Sequence, residues 1–354
     1  RMCKCCDKPL EGKKFTKRVR AYYPYLRIET TSRPEAEQLL AYGFVTTPGD
    51  YAATLTRPEL FGSYYKNQIQ HLLEAHDLPV EVGLSTTPIP VHFALGEDFH
   101  LEGDLSAEQL KQLPDIFDQP DLNIMDDQIA NCVFQPKAGE PSPLALFTAP
   151  RVDLSLMRLK HYTGTKANSF QNFIIFTNYQ FYIEEFIKIG EGLVGQNGYT
   201  DFVKPDMSSR IPQMPAYHLR RSDNLGITMI NIGVGPSNAK NITDHVAVLR
   251  PHAWMMLGHC AGLRNSQELG DYVLAHAYLR EDNILYHDLN PSIPIPALAE
   301  IQLALEAAVM EETKCTGREL KKVMRTGTVA TVDDRNWELK ASLRQNRRFS
   351  QSRA

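Results

Sequence analysis

The sequence predicts an α/β protein of two domains. Three observations carry that expectation. After residue 151, apolar runs of strand length alternate with segments whose apolar residues recur every three or four positions. Before residue 150 the texture differs: short Tyr-, Val- and Ile-rich runs, one long helical segment and an acidic, proline-bearing stretch. The chain has 354 residues and 43% apolar content, enough for one large or two ordinary cores. The boundary is therefore placed near 150, giving domains 1–150 and 151–354.

In chain order, "RVRAYYPYLRIE" and "AYGFVTT" read as strands, being rich in β-branched and aromatic residues. Residues 56–79, "TRPELFGSYYKNQIQHLLEAHDLP", read as a helix. Thr56 is the expected N-cap, Pro58 sits near the first turn, and Leu60, Tyr64, Ile69, Leu72 and Leu73 form the apolar stripe. Residues 100–150 read as short helices and loops, ending in a connection at 136–150. Then follow a helix in "RVDLSLMRLKHYTGT", a strand in "FQNFIIFTNY", a helix in "QFYIEEFIKIGEGL" and a strand in "GITMINIGVG". A helix in "SNAKNITDHVAVLR" and strands in "AWMMLGHCAG" and "GDYVLAHAYL" come next. The last two elements are a helix in "ALAEIQLALEAAVMEETK" and a strand in "RTGTVATVDD".

Composition excludes several classes. The formal net charge of -4 is not that of a nucleic-acid binder. No run of 18 or more apolar residues is present, and the N-terminus has no signal-peptide core, so a soluble cytoplasmic protein is expected. The six cysteines are not expected to form a disulfide framework: Cys3, Cys5 and Cys6 crowd the start, and the rest are scattered. The "CKCC" spacing is not that of a zinc knuckle, and no metal site is expected. The chain begins at Arg1 and stops at Ala354 in a basic segment, so both ends are expected to be cut.

The most informative stretch is "GVGPSNA", residues 233–239, between an apolar strand and a helix with Ala239, Ile242, Val246 and Leu249 on one face. Two glycines allow close backbone approach, Ser237 or Asn238 can cap the helix, and its free N–H groups attract an anion. Neither the dinucleotide nor the Walker pattern is complete here. A purely structural turn remains the competing reading. A second glycine turn, "GHCAG" at 258–262, follows another apolar strand. Two such turns after neighbouring strands suggest one crevice. His259 and Cys260 read either as a Cys–His nucleophile pair, though adjacent strand residues point to opposite faces and no third orienting group is visible, or as a hydrogen-bonded histidine and a small buried residue.

These segments, with "DHVAVLRP", "GDYVLAHAYLR", "IPIP", "TGTV…DDRNWEL", "FTNY", "QMPAYHL" and "TLTRPELFGSYYKNQ", resemble the AMP nucleosidase family over residues 15–340. The resemblance implies an N-terminal α/β (α+β) domain. A nucleoside-phosphorylase-like α/β/α sandwich lacking its last strands and helices would follow. It implies hydrolysis of AMP to adenine and ribose 5-phosphate, with no required cofactor. MgATP would be an allosteric activator, phosphate an inhibitor, and a homo-hexamer the assembly. It places Asn178, Gly233, Gly235, Pro236, Ser237 and Asn238 on the phosphate side, and His259, Cys260 and Gly262 near sugar and base. Arg57 is a candidate phosphate contact or a surface ion pair. Asp334, Arg335 and Asn336 are a loop beside the purine or a solvated turn. Ala261 replaces a family glycine. If that position needs positive φ, alanine there costs about 1 kcal/mol or more. The family's ribose-gripping Glu and purine-protonating Asp are expected beyond Ala354. General acid assistance is worth about a hundredfold to ten-thousandfold, so the chain as given is expected to be impaired, with its catalytic acid unassigned. Two alternatives remain: an inactive nucleotide-binding or assembly module, and a purine nucleoside phosphorylase.

Overall fold

The computed structural model describes residues 18–31, 45, 47–95, 105–207, 211–263, 266–281, 289–291, 293–332, 334, 336 and 339. The Cys3/Cys5/Cys6 cluster, Arg335 and most of "AYGFVTT" lie outside them. The chain divides into two compact units. The first is Arg1–His161 with Lys166–Asn168, and the second is Tyr162–Thr165 with Ser169–Ala354.

The first unit carries a four-stranded sheet. Strand β1 (Tyr22–Thr30) lies between β3 (Glu81–Pro88) and β2 (Gly49–Thr54), antiparallel to both, and β2 pairs in parallel with the short β4 (Ser142–Pro143). In β1 the buried positions Leu26, Ile28 and Thr30 keep strand parity, while Tyr23 breaks it. The register shift between Tyr22 and Pro24 is the physical reason, since an irregular pair changes which face the following residues meet. Segment 136–150, expected as a connection, thus adds a strand to this sheet.

Helix α1 (Pro58–His76) starts one residue later than the sequence suggested. Its N-cap is Arg57 in the left-handed region (φ 48°), and no side chain caps it. Thr56 does not cap because its hydroxyl is committed to Asp153, at 3.0 and 3.1 Å from the two carboxylate oxygens. The helix buries Phe61 and Leu72 and leaves Leu73 exposed. Helix α2 (Val91–Ala94) is a single turn. Helix α3 (Ala107–Ile116) opens with a reciprocal capping box between Ser106 and Gln109. Helix α4 (Ala149–Thr163) contributes buried Val152, Asp153, Leu156 and Leu159.

The second unit carries a five-stranded sheet in the order β6-β7-β8-β5-β9. These strands are β5 (Phe173–Thr177), β6 (Tyr199–Val203), β7 (Ala216–Arg221), β8 (Ile227–Asn231) and β9 (Ala253–Leu257). Strands β8, β5 and β9 are parallel to one another, and β7 is antiparallel to β6 and β8. Central β5 and β8 are mostly apolar, with Ile174, Phe176, Met229 and Ile230 buried, as expected for strands inside a covered sheet, while Thr177 and Asn231 close them with polar side chains. Between β5 and β6, helix α5 (Gln180–Leu193) packs Ile183 and Phe186 against Tyr217, Leu219 and Met229. After β8 comes helix α6 (Pro236–Val246), whose Ile242 and Val246 are fully buried. Strand β9, though as apolar as β8, is an edge strand with Trp254, Met255 and Met256 exposed.

A separate three-stranded sheet holds β11 (Ile295–Pro296), β10 (Tyr272–Glu281) and β12 (Met324–Val332), with β10 and β12 parallel. Leu274, Leu320 and Met324 make its core, together with residues of α7 (Ala299–Thr313) and α8 (Gly317–Val323). Among the described residues no helix is long and apolar enough to cross a membrane.

One buried amide locks the β7–β8 hairpin. Gln171 Oε1 accepts the N–H groups of Arg221 (3.0 Å) and Gly226 (3.2 Å), while its Nε2 donates to Ser169 and Phe170 carbonyls. A Cβ on Gly226 would lie 2.2 Å from the Leu219 carbonyl oxygen and 2.6 Å from Gln171 Oε1. The obstacle is main chain, which cannot step aside. Gly226→Ala is expected to destabilise the second unit by about 1–3 kcal/mol. Urea unfolding checks this, and an unchanged midpoint would contradict it.

Candidate active site

Strands β8, β5 and β9 run parallel, so their carboxyl ends share one edge of the sheet. The pairings Thr177↔Asn231 and Thr177↔Leu257 put the three ends level. Open α/β sheets bind ligands outside this edge. The sequence reading placed the two glycine turns after neighbouring strands. The structure corrects this: β5 lies between β8 and β9, so the turns are two strand spacings apart, about 10 Å. Strand order is not written in local apolar pattern, and both orders would read alike. The Asn178 turn at the end of β5 thereby sits between the other two.

On the β8 side, Asn231 Oδ1 accepts the Gly233 N–H at 3.1 Å and folds the chain into its turn. Gly233 has φ 65° and Gly235 φ 113°, both in the region that disfavours a Cβ. Gly235 itself is the N-cap of α6, followed by Pro236 at its start. The expected caps are thus corrected: Ser237 and Asn238 lie inside the first turn, and Asn238 Nδ2 donates to the Val234 carbonyl at 3.3 Å. With glycine at the cap, no cap side chain among the described residues accepts the first N–H groups of the helix. Those groups are the donor array an anion uses.

On the β9 side, His259 Nε2 lies 3.1 Å from the Tyr182 hydroxyl on α5, and its ring lies against Tyr179 with centroids 4.1 Å apart and the planes tilted by 36°. Phe181 adds a third ring, 4.0 Å from Tyr182. His259 is therefore tied to a tyrosine rather than to Cys260. Although Cys260 is exposed, protein packed around its sulfur pushes the thiol pKa up, opposite to what an activated nucleophile needs. Ala261 does not adopt positive φ, so the strain considered for it is absent. Gly262 packs closely against the Gln267 side chain, whose Oε1 would lie 3.0 Å from an added Cβ.

In the middle, Asn178 Oδ1 is buried and has no hydrogen-bond partner among the described residues. A Cβ on Gly258 would come 3.5 Å from it. A buried acceptor left open at a sheet edge is ready for a ligand donor.

The structure thus brings together Asn178, Gly233, Gly235, Pro236, Ser237, Asn238, His259, Cys260 and Gly262 on one edge. Asp334 and Asn336 follow β12, in the other sheet, where the Asn336 N–H donates to Asp334 Oδ1 at 3.0 Å. Arg57 is in the first unit. Its Nε donates to Asp153 Oδ1 at 3.1 Å and its Nη2 to the Phe93 carbonyl at 3.2 Å. Sequence reasoning missed Tyr179, Gln180, Tyr182 and Asn231. Polar Asn231, closing an apolar strand just before the glycines, was the available signal. Among the described residues no group of three or more His, Cys, Asp or Glu is placed to hold a metal ion.

Residues 2–141 match the family described as "Bacterial AMP nucleoside phosphorylase N-terminus", and residues 216–352 match the "Phosphorylase superfamily". The chain is 43% identical over 356 residues to AMP nucleosidase of Escherichia coli K12, covering 94% of this chain and 72% of that protein. The same figures hold for the enzyme of Escherichia coli O157:H7. Among solved structures, AMP nucleosidase of Bacteroides thetaiotaomicron superposes with a TM-score of 0.46 at 23% identity, covering 57% of this chain and 77% of that one. Two matched segments, one in each unit, and identity at that level over almost the whole length make this chain a member of the AMP nucleosidase family.

Proposed function

We infer that this protein hydrolyses the N-glycosidic bond of AMP, releasing adenine and ribose 5-phosphate. The observation that carries the reading is its 43% identity to a curated AMP nucleosidase across 94% of the chain. The edge geometry supports it. Cleavage of such a bond passes through an oxocarbenium-like state, so the protein must hold the sugar and its phosphate while water attacks. The N–H groups at the start of α6 suit the phosphate. Asn178 Oδ1 suits a ribose hydroxyl, and the tilted Tyr179–His259 pair offers an aromatic wall to the nucleoside.

Adenine release from AMP tests this directly, assayed with and without inorganic phosphate. Formation of ribose 5-phosphate in phosphate-free buffer, even at a reduced rate, is the expected result. Strict dependence on phosphate would instead make the reaction phosphorolysis, and binding without turnover would favour a nucleotide-binding module. Gly235→Ala forces φ 113° on a residue with a Cβ. It is expected to weaken AMP binding with a stability cost of about 1 kcal/mol. Calorimetry that finds wild-type affinity would remove this turn from the phosphate site.

The reading extends to regulation and assembly. AMP, adenine and ribose 5-phosphate are the small-molecule partners, and no resident cofactor is needed. MgATP activates, inorganic phosphate inhibits, and the working assembly is a homo-hexamer in the cytoplasm. These extensions rest on the family resemblance. Sedimentation and AMP titrations with added MgATP or phosphate check them.

A further inference from the structure

We propose that the first turn of α5 is a two-armed spacer, with Gln180 and Tyr182 as positioning residues that set the distance between the phosphate-side and nucleoside-side turns. This rests on the AMP reading of the sheet edge.

The helix occupies the gap between the two turns because β5, which leads into it, lies between β8 and β9. Residues two apart on an α-helix point about 200° apart. Gln180 and Tyr182 therefore reach opposite neighbours. Toward β8, Gln180 Oε1 accepts from Asn231 Nδ2 at 3.3 Å. The other end of the Asn231 amide holds the Gly233 N–H. A shift of Gln180 is thus passed directly to the glycine turn. Toward β9, the Tyr182 hydroxyl meets His259 Nε2 at 3.1 Å, and Tyr179 covers the imidazole face.

The spacer has a fixed base. Ile183 is fully buried, and Phe186 packs in the same cluster. At Gly190 the helix approaches Phe202 so closely that a Cβ would lie 2.3 Å from its ring. The helix cannot slide, so its first turn holds both arms at set positions. Between the arms lies the open acceptor Asn178 Oδ1. A ligand that engages both turns spans this acceptor, which is where the sugar of a nucleoside monophosphate falls.

The test is isothermal titration of AMP, ribose 5-phosphate and adenine against the wild-type chain, Gln180→Ala and Tyr182→Phe. Each substitution deletes one hydrogen bond without opening the core, and melting temperatures close to wild type confirm that. Loss of one such bond corresponds to about three- to tenfold in affinity. Gln180→Ala is expected to weaken AMP and ribose 5-phosphate by that factor and leave adenine unchanged. Tyr182→Phe is expected to weaken AMP and adenine and leave ribose 5-phosphate unchanged. Equal loss for all three ligands, or no loss, overturns the spacer. A wild-type chain that binds none of them overturns the assignment of the edge to AMP, a different failure.

Discussion

Asp153→Ala is expected to lower the stability of the first unit by about 3–5 kcal/mol, the range for removing one partner of a buried ion pair. Asp153 is 4% exposed and accepts hydrogen bonds from three donors. They come from Tyr23 Oη (2.7 Å), Thr56 Oγ1 to both oxygens (3.0 and 3.1 Å) and Arg57 Nε (3.1 Å). Burial pushes its carboxyl above the usual range, against the pull of the Tyr23, Arg57 and Thr56 donors. Burial and the adjacent carboxylate likewise raise Tyr23. Desolvation is therefore the dominant expense, and it is tolerated only because every donor converges on one group. Alanine leaves a buried phenol and hydroxyl unsatisfied and the guanidinium half-buried without its carboxylate. The network ties β1, the entry to α1 and the start of α4, so its loss loosens all three. For a unit of this size the shift is roughly 10–15 °C in melting temperature. Differential scanning calorimetry reads it. Asp153→Asn, which keeps the volume and one acceptor, is expected to lose about half as much. If alanine and asparagine melt with the wild type, the network carries no stability.

The same residue shows what a linear sequence reveals and what it conceals. Helix α5 was expected over "QFYIEEFIKIGEGL" and runs over those residues, because its period, its flanks and its polarity all agree. Strand β8 and the buried face of α6 were legible for the same reason. Strands β6 and β7 were not: "YTDFV" and "AYHLRR" mix charges with apolar residues, and the antiparallel pairing that stabilises them is a tertiary fact. Thr56 looked like a helix cap because nothing local announces Asp153, 97 residues away. Within the site, the glycines declared a turn through their own conformational needs. The ties that place the turns did not. Gln180 meets Asn231 across 51 residues and Tyr182 meets His259 across 77. Those partners depend on β5 lying between β8 and β9, which no pattern of apolar residues specifies.

Acidification is expected to destabilise the second unit through His218, with stability intact above pH 6.5 and falling below it. His218 is fully buried. Its Nδ1 lies 2.9 Å from Thr228 Oγ1 and its Nε2 2.9 Å from Thr165 Oγ1, with Phe170 against the ring. A neutral imidazole donates from one nitrogen and accepts at the other, and rotating hydroxyls satisfy both. Protonation would place a charge in that enclosure, and burial, followed by the field of Arg220, lowers the pKa from 6.5 to about 3. The unfolded state therefore binds a proton that the folded state refuses, and stability rises with pH across that window. Between pH 7.5 and pH 5 the loss is about 2 kcal/mol, from one and a half pKa units at about 1.36 kcal/mol each. Other carboxylates titrate at lower pH, so the informative quantity is the difference between wild type and His218→Gln. The variant gives up the imidazole's fit between the two threonines and is less stable at neutral pH. Its urea midpoint should then fall less on acidification, by that same 2 kcal/mol. Parallel pH profiles for the two proteins would mean that His218 accepts its proton without cost, and that burial does not keep it neutral.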